Sequence, residues 1–144
     1  MTILAVDDEK LALAAIVEQL GQVLPEAQIL AFRKPSEALA AVREQPCEIA
    51  FLDIEMREMD GITLAKRIKR LYPQTNIIFT TGYSEYSTEA FSLHASGYLL
   101  KPVTGIQLER ELLQHLPREV LSVVAGEDTT DITAGALIRH HRKV

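Results

Sequence analysis

Five short apolar runs lie within the first 100 residues, and they constrain the fold of this chain more than any other feature. None alternates strictly between apolar and polar residues, which is typical of strands buried on both faces of a parallel sheet. The runs are TILAV at 2–6, AQILAF at 27–32, EIAFL at 48–52, NIIFT at 76–80 and GYLL at 97–100. We therefore expect five parallel strands, each covered by helices.

Segments with apolar residues at helical spacing separate these runs, and one more follows the last run. In the third segment, for example, Leu64, Ile68 and Leu71 repeat at intervals of four and three residues. Proline follows three of the segments, where a helix is expected to end. The strict alternation predicts an α/β doubly wound domain over residues 1–117, with a five-stranded parallel sheet in the flavodoxin-like order 2-1-3-4-5 and helices on both faces.

Composition narrows the class of protein. The chain has 144 residues and a net charge of −5, which does not favour binding to nucleic acid or to anionic membranes. It has no apolar run of about 18 residues that would span a membrane, and its N-terminus lacks the pattern of a signal peptide. The single cysteine, Cys47, cannot form an internal disulfide and fits a reducing cytoplasm, where we expect the protein to act.

Residues 118–144 differ from the rest of the chain. The segment EDTTDIT is polar and acidic, whereas ALIRHHRKV ends in basic residues. We expect a C-terminal extension or linker here. A flexible linker, a small extra helix and an artificial terminal segment all fit the pattern.

Polar side chains follow the strands that should lie at the centre of the sheet. Asp7 and Asp8 follow the first strand, Asp53 the third, Thr81 the fourth and Lys101 the fifth. Sites in open α/β sheets form outside the carboxyl ends of the strands, where the chain order reverses. The first and third strands flank that point, so the three aspartates should come together.

Three clustered carboxylates require a cation or a proton. Two carboxylates about 5 Å apart repel by roughly 3 kcal/mol at an effective dielectric constant of about 20, so three pairs approach the stability of a whole domain. Lys101 supplies one positive charge, and Mg²⁺ suits the remaining oxygen ligands. A carboxylate beside Mg²⁺, a lysine and the Thr81 hydroxyl favours attack on phosphorus to form an aspartyl phosphate.

Five motifs then resemble a known family. They are VDDE at 6–9, FLDIEM at 51–56, MDG at 59–61, TTGY at 80–83 and GYLLKPV at 97–103. In this order and spacing they resemble the receiver domain of two-component response regulators, and FLDIEMREMDG and AFSLHASGYLLKPV look most like LytTR-type regulators. The resemblance covers residues 1–117. It implies a phosphorylation-controlled signalling module whose phosphoryl donor is a histidine kinase or a phosphotransfer protein.

The resemblance also implies roles for the residues around the acidic cluster. Asp53 would be the phosphoacceptor. Asp8 would bind Mg²⁺ directly and Asp7 through water, while the backbone carbonyl of Glu55 would be a further ligand. The side chains of Glu55 and Tyr83 would influence how fast the phosphoryl group hydrolyses.

A second group of residues would transmit the signal. By the same resemblance, Lys101 pairs with the phosphoryl group, and its peptide bond to Pro102 is cis. Thr81 moves towards the phosphoryl group and the ring of Tyr98 turns inward. This changes the surface formed by helix 4, strand 5 and helix 5, through which a phosphorylated homodimer is expected.

Three departures from the family pattern stand out. Arg57 replaces a usual proline, so the loop after Asp53 is expected to be looser, and Gly97 replaces a usual aspartate. The 27 residues after 117 are too few for a DNA-binding domain. We therefore expect a single-domain regulator or a receiver cut from a longer protein, with no direct contact to nucleic acid.

Other functions compete with this interpretation. Phosphatases of the aspartyl-phosphate class usually carry a second aspartate two residues after the nucleophile, where this chain has Glu55, and they carry cap insertions for which this chain has no room. A degenerate receiver acting as a scaffold conflicts with the intact acids, hydroxyl and lysine. No glycine-rich nucleotide-binding pattern is present. A signalling domain rather than a metabolic enzyme is therefore the leading prediction.

Overall fold

Five strands and five helices alternate along residues 1–116, as the sequence pattern predicts. The structure is a computed structural model that describes residues 1–116. The strands are β1 (Thr2–Val6), β2 (Gln28–Phe32), β3 (Ile49–Asp53), β4 (Asn76–Thr81) and β5 (Gly97–Leu100). The helices are α1 (Lys10–Val23), α2 (Pro35–Glu44), α3 (Gly61–Leu71), α4 (Ser87–Ser92) and α5 (Gly105–Leu113). The predicted extension at 118–144 lies outside the described residues.

The strands form one parallel sheet in the order β2-β1-β3-β4-β5, which confirms the predicted topology. β1 pairs with both β2 and β3, so the chain order reverses beside it. In the register, Val6 is level with Leu52, and Asp53 is level with Thr80. The residues that leave β1 and β3 therefore emerge side by side at the carboxyl edge of the sheet.

Alternate residues of the central strands pack into two separate cores. From β1, Ile3 and Ala5 face the core that contains residues of α1 and α5, and Leu4 and Val6 face the core built with α2, α3 and Ala90 of α4. This period of two follows from the pleat of a strand. The middle residues of each central strand are apolar on both faces because helices cover both sides of the sheet.

The edge strands depart from one prediction. Every residue of β1 and β3 is buried, but β2 has exposed residues at Gln28 and Ala31, and Leu100 at the end of β5 is 47% exposed. The expectation that all five strands are buried on both faces is therefore wrong for β2 and β5. An apolar run has the same appearance in the sequence whether its strand is central or at an edge.

The start of α3 is fixed against the end of β3. The Asp60 side chain caps the helix by accepting a hydrogen bond from the Thr63 backbone N–H at 2.8 Å. The Gly61 backbone N–H donates to the Ile54 carbonyl at 2.8 Å. A Cβ atom on Gly61 would lie only 2.1 Å from the Asp53 carbonyl oxygen. This close approach explains the glycine, and the hydrogen bond to Ile54 ties the start of α3 to the chain directly after Asp53.

Among the described residues, no helix has the length and apolar character needed to cross a bilayer.

Candidate functional site

Three aspartates meet at the carboxyl edge of the sheet, as the strand order predicts. One carboxylate oxygen from each of Asp7, Asp8 and Asp53 lies within 4.8 Å of the other two. Asp7 and Asp53 are buried, with 0% and 4% of their surface exposed, whereas Asp8 is half-buried. A groove of about 580 Å³, lined in part by Asp8, Glu55 and Lys66, opens beside the cluster. The three carboxylates thus form a partly enclosed acidic pocket.

Lys101 lies against this pocket. Its Nζ is 2.8 Å from Oδ2 of Asp7, 3.1 Å from Oε1 of Glu9 and 3.4 Å from Oδ2 of Asp53. Its backbone N–H donates to the Thr81 carbonyl at 2.7 Å, and the following peptide bond, to Pro102, is cis. Burial disfavours the charged lysine, but the surrounding carboxylates outweigh this effect and raise the pKa of Lys101. The lysine is therefore a permanent cation.

The pocket disfavours the charged form of Asp53. Burial and the nearby charge of Asp7 raise the pKa of Asp53 from 3.8 to about 6, although Lys101 acts in the opposite direction. The carboxyl group thus ionises near neutral pH but remains under electrostatic strain. A second cation would relieve this strain and would favour the ionised, nucleophilic form.

The geometry of the cluster fits a divalent ion with oxygen ligands. Ligand oxygens of one Mg²⁺ ion lie about 3 to 4 Å apart at the usual Mg–O distance. The three carboxylate oxygens already lie within 4.8 Å of one another, so small side-chain movements would bring them to that spacing. Oδ1 of Asp7 already accepts a hydrogen bond from the Glu9 backbone N–H at 2.9 Å, and its Oδ2 faces Lys101. Asp8 and Asp53 are therefore better placed than Asp7 to contact an ion directly.

The loop after Asp53 is tied to Asp8 through Arg57. The Arg57 backbone N–H donates to Oδ2 of Asp8 at 3.2 Å, and a proline at this position could not make that bond. Arg57, which we expected to loosen this loop, thus adds a hydrogen bond between the loop and Asp8. The Arg33 guanidinium donates to the Asp8 carbonyl from Nε and Nη2, at 3.3 and 3.1 Å.

The two predicted switch residues both contact the backbone of Tyr83. Thr81 is fully buried, and its hydroxyl accepts a hydrogen bond from the Tyr83 N–H at 3.3 Å. The Tyr98 hydroxyl donates to the Tyr83 carbonyl, and the Tyr98 ring packs edge-on against Phe79 with centroids 6.4 Å apart. Tyr83 thus links the end of β4 to β5.

Two contacts of this site were not predicted from the sequence. Glu9 binds Lys101, and its place directly after two strand-end aspartates was the signal that could have revealed it. The Tyr86 hydroxyl donates to the Glu55 carboxylate across 31 residues. No sequence signal pointed to that bond, because it depends on where α4 begins. The Glu55 side chain is thereby held at the side of the groove.

Comparisons with known proteins agree with this geometry. The family described as response regulator receiver domain matches residues 3–115. A response regulatory protein of Vibrio cholerae is 35% identical over 123 residues, which are 83% of this chain and 47% of that protein. The sensory transduction protein LytR of Streptococcus mutans is 31% identical over 134 residues, which are 91% of this chain and 54% of that protein. The chain therefore spans about half the length of these relatives.

A solved structure resembles the chain over most of its described part. The response regulator protein TrrA from Thermotoga maritima, crystallised in complex with Mg²⁺ and beryllofluoride, has a TM-score of 0.71 and 26% identity. The match covers 80% of this chain and 98% of that one. The structural similarity and the family-level similarity thus each extend over most of the chain.

Proposed function

This chain belongs to the response regulator receiver family, in the LytR/LytT-like group, and from that premise we propose that it accepts a phosphoryl group on Asp53. One observation carries the proposal. Asp53 is a buried carboxylate with a raised pKa, placed between two further aspartates and a lysine at the switch point of the sheet. Such a group is poised to act as a nucleophile once a cation neutralises its neighbours.

The reaction proposed is an in-line transfer between two nucleophiles. An Asp53 carboxylate oxygen forms a bond to phosphorus, and the bond from phosphorus to the donor breaks with its electron pair leaving on the donor atom. Lys101 neutralises negative charge on the phosphoryl oxygens, and the Thr81 hydroxyl donates a hydrogen bond to one of them. Residues of this chain thus hold the group at the end of β3 and turn over no metabolite.

Mg²⁺ is the proposed cofactor. Asp8, Asp53 and the Glu55 carbonyl would hold it directly and Asp7 through water, and when bound it would neutralise charge on the transferring group. The carboxylate spacing supports this assignment. So does the related protein TrrA, whose crystal structure contains Mg²⁺ with beryllofluoride.

The proposal predicts a covalent change that mass spectrometry can measure. Wild-type protein incubated with acetyl phosphate and Mg²⁺ is expected to gain one phosphoryl group that is labile to hydroxylamine, and Asp53→Asn is expected to gain none. Asp60→Asn is a matched control, because it removes a neighbouring carboxylate but keeps a good helix cap. An unmodified wild-type protein would contradict the proposal and favour a scaffold. Rapid turnover of many phosphate esters would favour a phosphatase.

We further propose that Thr81 and Tyr98 carry the signal to the face formed by α4, β5 and α5. In support, both side chains form hydrogen bonds with the backbone of Tyr83. Displacement of Thr81 would therefore move the carbonyl group that accepts the Tyr98 hydrogen bond. Phe91 on α4 is 82% exposed and Leu100 on β5 is 47% exposed, which gives this face apolar groups for a partner. A second phosphorylated copy is the proposed occupant.

A beryllofluoride adduct is expected to report this switch. With Mg²⁺, nuclear magnetic resonance signals of Thr81 and of the Tyr98 ring should shift, and the adduct should sediment as a dimer. Thr81→Ala is expected to abolish the Tyr98 shift while the adduct still forms. The ring of Tyr72 serves as an internal control, because Tyr72 follows α3 and precedes β4, near the amino ends of the strands and away from the aspartates. An adduct that leaves Tyr98 unchanged would show that the proposed coupling is wrong.

The domain bounds, the cellular location and the partners of the protein are proposed on the same family resemblance. We propose that residues 1–117 are the receiver and 118–144 an extension or linker, and that the protein acts in the cytoplasm. A histidine kinase or phosphotransfer protein is the proposed donor of the phosphoryl group. The net charge of −5 supports the proposal that this chain does not itself bind nucleic acid. Tyr83 and the Glu55 side chain would tune hydrolysis from the rim of the pocket.

A further inference from the structure

Three carboxylates surround the ammonium group of Lys101. Asp7, Glu9 and Asp53 each place an oxygen within 3.4 Å of Nζ. One of these contacts, to Oε1 of Glu9 at 3.1 Å, is a hydrogen bond donated by Nζ. A phosphoryl oxygen that is to bind Lys101 must therefore compete with carboxylates that already contact its ammonium group.

Glu9 is the partner that can leave. The side chains of Asp7 and Asp53 are only 1% and 5% exposed, so neither can move into water, whereas that of Glu9 is 69% exposed. Asp7 is also fixed through its other oxygen, which accepts the Glu9 backbone N–H. Breaking the Glu9 contact costs little, because an exposed ion pair exchanges readily for hydration.

The backbone fixes where the Glu9 side chain begins. Glu9 is the N-cap residue of α1, its N–H binds Asp7 and its carbonyl accepts the first helical bond, from the Leu13 N–H at 3.0 Å. Its side chain makes no capping bond and instead reaches Lys101. The Glu9 carboxylate consequently lies on the solvent-exposed side of Lys101, and an incoming phosphoryl group has to contact this lysine.

We propose that Glu9 is a specificity-determining residue that competes with the phosphoryl group for Lys101 and so slows phosphorylation by free anionic donors. This inference rests on the proposed function of Asp53. A small dianionic donor meets the negative charge of Glu9 and competes with its carboxylate for Lys101. A less highly charged donor is repelled less, so Glu9 discriminates between donors by charge.

The test measures phosphorylation rates at low ionic strength with two donors. Glu9→Ala and Glu9→Gln are both expected to react with acetyl phosphate about three- to fivefold faster than wild type, the size expected for an exposed charge. The gain should be smaller with phosphoramidate, which carries less negative charge. It should nearly vanish at about 1 M salt, where the Debye length is about 3 Å. Beryllofluoride binding, which needs no turnover, should tighten in the same variants.

Glu18→Ala is the matched control. Glu18 is an exposed carboxylate on the same helix, about 13 Å further along α1 by the helical rise, so its removal changes net charge without touching Lys101. The inference is overturned if Glu18→Ala accelerates phosphorylation as much as the Glu9 variants do, or if the Glu9 variants show no salt-dependent gain in rate. In either case phosphorylation of Asp53 itself still stands. A wild-type protein that takes up no phosphoryl group overturns both.

Discussion

Gly61→Ala is expected to destabilise the protein by about 2–4 kcal/mol and to disable phosphorylation of Asp53. An added Cβ would lie 2.1 Å from the Asp53 carbonyl oxygen and 2.9 Å from the Ile54 Cα. These neighbours are backbone atoms, so no flexible side chain can move aside. Relief of the clash must shift either the start of α3 or the end of β3, and the latter carries the reactive carboxylate. Urea denaturation gives the stability, and intact mass after incubation with acetyl phosphate gives the reactivity.

Gly21→Ala provides the matched comparison. Gly21 lies inside α1, and an added Cβ would meet no atom within 4 Å. This variant is expected to gain up to about 1 kcal/mol of stability, because alanine favours a helix over glycine, and to be phosphorylated normally. Equal stability of Gly61→Ala and wild type would show that the contact between α3 and β3 relaxes at no cost.

Asp53→Asn is expected to stabilise the metal-free protein by about 3 kcal/mol near pH 7 and to leave its stability almost unchanged at pH 4. The pKa of Asp53 rises from 3.8 to about 6 on folding, so the folded state holds this proton more tightly than the unfolded chain does. The stabilisation that comes from protonated Asp53 is fully present below about pH 4 and is lost as the pH rises through about 6. Asparagine stays neutral throughout and avoids this loss.

The measurement compares unfolding free energies of the two proteins from pH 4 to 7.5 in buffer with a chelator. The difference between them isolates Asp53 from the other carboxylates, because both chains share those groups. Added Mg²⁺ should then stabilise the wild type more than Asp53→Asn at pH 7.5, since binding to the folded state alone raises its stability. A stability difference that does not change with pH would show that Asp53 is not strained by its neighbours.

The fold was largely predictable because its signals are local and repeated. The sequence pattern predicted each strand to within one or two residues of its observed bounds. The strand order was predicted from the usual order of five-stranded doubly wound sheets, and the structure confirms it. The burial of β2 and β5 was predicted wrongly, since β2 has exposed residues at Gln28 and Ala31. The predicted strand order already placed β2 and β5 at the edges, so the error came from inferring burial from the apolar pattern of each segment alone.

The carboxylate cluster was predictable for a similar reason. Asp7, Asp8 and Asp53 follow strands that the topology makes neighbours, so their meeting at one edge required no knowledge of side-chain conformation. The bond between Tyr86 and Glu55 was not predictable, because it depends on the start of a six-residue helix and on one side-chain rotamer.

The sequence alone therefore determined the succession of strands and helices and the set of charged groups at the strand ends, because periodicity and chain order carry both. Only the tertiary structure decided how those groups share their partners. It placed Lys101 within reach of Glu9 as well as two aspartates, and it pressed Gly61 against the Asp53 carbonyl. Such contacts depend on distances of a few ångströms between segments far apart in the chain, and those distances are set by packing of the whole sheet and its helices.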